Sequence, residues 1–309
     1  MLGVVVPTVM TVLGPVPAET LGVTLPHEHV FVDLVREYRG DGLLNDRALA
    51  VRELAAFAEA GGRTVVDCTS VGLARDPAAL REVALETGLN IVMGCGYYRD
   101  PYLAEQGLDR LSVDAVADLI VRDVEEGADG TDVRAGVIGE IGADRWYLSA
   151  LEERSFRAAA RAHRRTGLTI TTHAARWPVG LPQLDLLAEE DVDPARVVVG
   201  HCDMVPDPGY HLAVARRGAF VQFDTVQGES EYDTECRVAW IRALAEEGFL
   251  DRVLLSQDVC LRSNLAALGG PGYAYVPTAF AERLRTEGFT DAEVRRLLVD
   301  NPRRALTGA

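Results

Sequence analysis

The sequence predicts a (β/α)8 barrel, and three observations carry that expectation. Short β-branched runs alternate with longer amphipathic segments along nearly the whole chain, eight such runs can be placed, and no G-x-G-x-x-G follows the first of them. Continuous apolar strands separated by helices mean a parallel sheet covered on its outer face. Eight units favour closure over an open doubly wound sheet, which the missing glycine fingerprint also disfavours. No shift in composition marks a linker, so residues 1–309 read as one domain with a short N-terminal strand-and-turn segment over residues 1–21.

The first run, GVTLPH (22–27), leads into H-E-H, which places His27 and His29 two apart. In extended chain such residues project from one face, and two imidazoles there can grip one ion. The segment 45–62 then shows apolar residues at helical spacing. TVVDC (64–68) and NIVMGC (90–95) are the next strands, and GYYRDPYL after the third puts Tyr97, Tyr98 and Arg99 at the rim of the barrel mouth. AGVIGE (135–140) ends in Glu140, and the segment 151–167 is a second clear helix, with Gly167 as its C-cap. LTITTH (168–173) ends in His173, RVVVGH (196–201) in His201 with Asp203 two residues on, and AFVQFD (219–224) in Asp224. RVLLSQD (252–258) ends in Asp258, with Arg262 four residues beyond.

A (β/α)8 barrel carries its active site at the C-terminal ends of its strands. Read alone, Glu140 is a solvated carboxylate, His173 a core histidine and Asp258 a helix N-cap. Together, four of the six histidines stand at strand ends with two carboxylates. That donor set suits zinc first, and also manganese, cobalt or iron. Six ligands are too many for one catalytic ion with an open position, and suit two ions about 3.5–4 Å apart. Asp258 is then the candidate general base. His163 and His211 fall inside helical patterns and read as packing or surface residues. Asp203 and Asp224 either orient ligands or serve as loop and capping acids. Arg99 and Arg262 either fork onto an anionic substrate group or pair with surface acids.

The stretches TVLGPVPAETLGVTLPHEH, GVIGEIG, TTHA, VVGHCD, VQFD, LLSQD and GGPGYAY resemble the phosphotriesterase-like branch of the amidohydrolase superfamily. The resemblance implies a barrel of the metal-dependent amidohydrolase type with a binuclear centre. His27, His29 and Asp258 would hold the more buried ion, and His173 and His201 the more exposed one. A bridging hydroxide and a residue of the fourth strand would join them. Many members carry a carbamylated lysine as that bridge. Here the position is Glu140 and the chain contains no lysine, which resembles the glutamate-bridged phosphotriesterase homology subgroup. Thr225 and Met204 stand where true phosphotriesterases carry a proton relay, which argues against efficient triester hydrolysis. The expected activity is hydrolysis of an ester-type bond, lactone, carboxylic ester or phosphoester, in a small molecule with room for an anionic group. The alternatives are cleavage of a small N-acylated amine, or ligand binding without catalysis on the same scaffold.

A net charge of −16 excludes the basic surface that nucleic acid demands. Five scattered cysteines without C-x-x-C predict free thiols in a reducing compartment. The apolar N-terminus has no basic region ahead of it, and no stretch approaches the roughly 18 apolar residues of a membrane span. The expectation is a cytoplasmic protein, with a homodimer open to it, whose partner is a small-molecule substrate and neither nucleic acid nor membrane.

Overall fold

The computed structural model describes residues 7–143, 145–228 and 230–308. Eight parallel strands form one sheet: β1 (Val23–Glu28), β2 (Gly62–Asp67), β3 (Asn90–Cys95), β4 (Val137–Gly142), β5 (Ile170–His173), β6 (Val197–Gly200), β7 (Phe220–Phe223) and β8 (Val253–Leu255). They pair in sequence order from β1 to β8. The sheet closes beyond the regular ladder, where the Asp258 N–H donates to the His27 carbonyl and the His29 N–H to the Val259 carbonyl, each at 3.2 Å. The closing seam therefore carries three expected ligands.

Each helix between strands buries one stripe on the barrel. The segment Ala150–Thr166 shows how the sequence does this. Ser149 and Glu152 form a reciprocal capping box at its start, Gly167 ends it in the left-handed conformation, and Phe156 and four alanines are fully buried between the sheet and the neighbouring helix. A phenylalanine buried this way stabilises by about 1.5–3 kcal/mol. The N-terminal segment is a hairpin (Thr8–Thr11 with Gly14–Pro17) and a short turn that packs Val9 and Leu21 on Val66, Val92 and Val137 at the barrel's lower end. Residues 1–6 of the expected segment lie outside the described residues.

Glycine lets β4 approach its neighbours closely. Gly139, at φ +130°, has no room for a Cβ because the Thr171 carbonyl oxygen already stands there. That approach delivers the next residue, Glu140, to the barrel axis. The five cysteines are free thiols. No helix among the described residues is long and apolar enough to cross a membrane.

Candidate metal centre

The residues expected as ligands converge. Nε2 of His27 lies 3.4 Å from Oε2 of Glu140 and 3.8 Å from Oδ1 of Asp258. Nε2 of His29 lies 3.3 Å from Oδ1 of Asp258 and 3.6 Å from Oε1 of Glu140. On the other side, Nδ1 of His173 is 3.1 Å and Nε2 of His201 is 3.3 Å from Oε2 of Glu140. Donor atoms set about 2.0–2.1 Å from a tetrahedral zinc lie about 3.3 Å from one another, and these spacings scatter around that value. Nε2 of His27 is buried and makes no hydrogen bond, which leaves that atom open to a cation that displaces its proton. The donor set fits two divalent ions, with Glu140 common to both triads.

Local structure fixes each ligand. His27 and His29 share the inner face of β1, while Glu28, one residue out of phase, turns into the wall. There its carboxylate accepts from Ser256 Oγ at 2.7 Å and from the amides of Gln257 and Val259 at 2.8 Å. Burial nevertheless pushes the Glu28 carboxyl up to about 7. Thr69 Oγ1 lies 2.9 Å from Nδ1 of His29, and Asp67 pins the loops carrying both by accepting from the amides of Val30 and Thr69. His201 and Asp258 have φ of +55° and +49°. Such backbone costs about 1–3 kcal/mol for a non-glycine residue and gathers at functional sites.

Asp224 serves both halves. Its Oδ1 accepts from Nδ1 of His201 at 2.7 Å, and its Oδ2 lies 3.4 Å from Nδ1 of His27. Burial alone would lower the His27 imidazole, but Asp224 and Glu140 outweigh it and raise it to about 9. Burial and the neighbouring His201 push His173 down to about 4, so it is neutral at pH 7. Against burial, His173 and His27 hold the Glu140 carboxyl well below the usual carboxylate range. Against burial too, the histidines beside Asp258, His29 foremost, hold it ionised.

A cavity of about 280 Å³ opens above these ligands, toward the small end of ligand pockets. Tyr98 and Arg99 line it, and the Tyr98 hydroxyl is 3.2 Å from Nδ1 of His173. Arg99 is paired with Glu37 at 2.7 Å. Two expected substrate residues are corrected. Tyr97 is buried in the outer core, because alternation turns it away from the face that Tyr98 occupies. Arg262 lines a separate shallow cleft with Asp46 and Leu49. The reason is the tight turn Arg262–Asn264, which aims Leu261 and Asn264 into the cavity and the arginine outward. Among the described residues Asp203 bonds to no ligand side chain, but it accepts from the amide of Asp224. It accepts from Thr225 and pairs with Arg237, so it secures the β7 loop. Among the described residues His163 and His211 bond to backbone carbonyls near their own helices.

Sequence reasoning missed Glu28, Asp67, Thr69 and Arg176. The last lines the cavity three residues beyond His173, and the offset argument applied to Arg99 would have reached it.

The model of the phosphotriesterase family matches residues 7–306. The chain belongs to that family. It is 41% identical over 282 residues to the phosphotriesterase homology protein of Escherichia coli (strain K12), covering 91% of this chain and 96% of that one. It is 33% identical to the N-acetyltaurine hydrolase of Tetraodon nigroviridis, over 97% of each. The solved lactonase Lmo2620 of Listeria monocytogenes superposes with a TM-score of 0.90 at 29% identity, covering 97% of this chain and 99% of that one. Membership makes this phosphotriesterase-family chain a hydrolase on a (β/α)8 barrel.

Proposed function

We propose that the chain is a metal-dependent hydrolase that cleaves the ester, lactone or N-acyl bond of a small molecule. The convergence of six ligand atoms at spacings suited to two ions carries this reading. His27, His29 and Asp258 would hold one ion and His173 and His201 the other, with Glu140 shared. Zinc fits the imidazole-rich set best. Bound ions supply Lewis acidity and a water ionisable near pH 7.

The chain's own residues supply the rest. Asp258, ionised and at the cavity floor, is placed to take a proton from the attacking water and return it to the leaving group. The Tyr98 hydroxyl offers a hydrogen bond to the substrate beside His173. Apolar walls from Leu34, Leu73 and Leu261 exclude water around the scissile bond. Acyl substrates are preferred over phosphotriesters because Thr225 and Met204, which line the cavity, carry no side chain that takes up a proton near neutral pH. The named activities of the lactonase and the N-acetyltaurine hydrolase, an ester and an amide, support both acyl bonds.

The test is an assay of zinc-loaded protein on lactones, esters, N-acyl amines and phosphoesters, repeated after chelation and after re-addition of metal. Turnover of an acyl member that vanishes and returns with the metal is expected. Turnover that survives complete metal removal would overturn the reading.

A further inference from the structure

Apart from the metal ligands, only two charged residues line the described cavity, Arg99 and Arg176. They differ in kind. Arg99 is buried, its guanidinium pairs with Glu37 and stacks on Tyr98, and its charge is already neutralised. Arg176 is exposed at the mouth, on the loop after β5, and forms no hydrogen bond or ion pair among the described residues. Tyr38, from the short helix Val35–Tyr38 after β1, lines the same cavity. Its backbone sits at φ +68°, a conformation uncommon for a residue with a Cβ. The chain thus holds an unpaired guanidinium over an otherwise neutral, partly apolar rim.

We propose that Arg176 is a specificity-determining residue that binds an anionic group, a carboxylate, sulfonate or phosphate, at the end of the substrate remote from the scissile bond. This rests on the hydrolase reading above. The overall charge of −16 repels anions at long range, so recognition falls to a local fork of donors. A guanidinium provides that fork in a planar array matched to two oxygens of an anion. With the scissile bond over the ligands and the anion at the mouth, the substrate is short, acylated and charged at one end.

The experiment compares kcat/KM of metal-loaded wild type, Arg176→Ala and Arg176→Lys on matched probes. These are N-acetyltaurine against N-acetylethanolamine, and a carboxylated γ-lactone against γ-butyrolactone. Arg176→Ala is expected to lose roughly 10- to 100-fold on the anionic member of the pair that is turned over, the span of a charge-assisted contact. The neutral member should change less than about twofold, metal content should stay the same, and Arg176→Lys should recover part of the loss. Equal losses on both members, no loss on either, or loss accompanied by loss of metal would overturn the assignment. If fully metal-loaded wild type cleaves none of the probes, the hydrolase reading fails and takes this inference with it. That outcome is distinct, because it shows before any substitution.

Discussion

The carboxylate of Asp224 holds Nδ1 of His201 at 2.7 Å while its second oxygen lies 3.4 Å from Nδ1 of His27. One buried acid thus orients His201 directly and sets its charge beside His27, whose Nδ1 is 2.8 Å from Nε2 of Gln222. Nδ1–H of His201 donates to the acid, which leaves Nε2 with its lone pair directed at Glu140 and any ion there. Asp224→Asn keeps the shape and removes the charge that fixes this tautomer. Metal affinity should fall about 10- to 100-fold, measured by competition with a calibrated chelator, with the barrel still folded by circular dichroism.

As a carboxylate, Glu140 would join two ions without chemical modification, and the chain has no lysine to be carbamylated. Activity of metal-free protein should therefore return with zinc or cobalt at a rate independent of bicarbonate. Glu140→Ala should lose metal and activity together. A reconstitution rate that climbs with bicarbonate would contradict the direct carboxylate bridge.

What was legible in the sequence follows from periodicity. Apolar runs end where the barrel's upper rim begins, so His27, Glu140, His173, His201 and Asp258 could be placed before any coordinates. Tyr97 and Arg262 could not, because a one-residue difference decides whether a loop side chain faces the cavity or the outer wall. For Arg262 that difference is set by a turn stabilised by Asn264, whose side chain accepts from the amides of Cys260 and Leu261. Glu28 was hidden for the opposite reason. Between two histidines it reads as a spacer, and its partners lie 228 to 231 residues away.

Glu28 clasps the last strand region to the first. Its three accepted bonds hold Ser256, Gln257 and Val259, which flank the ligand Asp258. Glu28→Ala would strand those donors in a buried wall at about 1–3 kcal/mol for each unsatisfied group. A loss on the order of 3 kcal/mol or more is expected, read as a drop of several degrees in Tm, together with weakened metal binding because Asp258 is no longer held. Unchanged Tm with unchanged metal content would show that the seam is held by its two backbone bonds alone.

Outside the cavity, Arg262 should be dispensable for chemistry. Arg262→Ala is expected to keep metal content and kcat/KM within about twofold for charged and neutral substrates alike, since a surface substitution without a buried partner is usually within about 0.5 kcal/mol. A selective loss on anionic substrates would mean that the loop Arg262–Asn264 turns inward when substrate binds.

Glu37 controls the other arginine of the mouth. Burial alone would raise its carboxyl, but the adjacent Arg99 guanidinium and the Tyr102 hydroxyl hold it below the usual carboxylate range. A carboxyl depressed in the folded state contributes stability above its unfolded value and loses it as pH falls through the folded one. The contact between the β1 and β3 loops should therefore persist from neutral pH into the range where ordinary carboxylates protonate, and open only below it. Because the carboxylate is partly exposed, the energy involved is modest. Glu37→Gln removes the charge at every pH and weakens the neutralisation of Arg99 beside the cavity. It should improve kcat/KM for anionic relative to neutral substrates by a few-fold, and the gain should shrink in high salt. Equal effects on both substrate classes would mean that Glu37 positions the loop and does not mask the charge of Arg99.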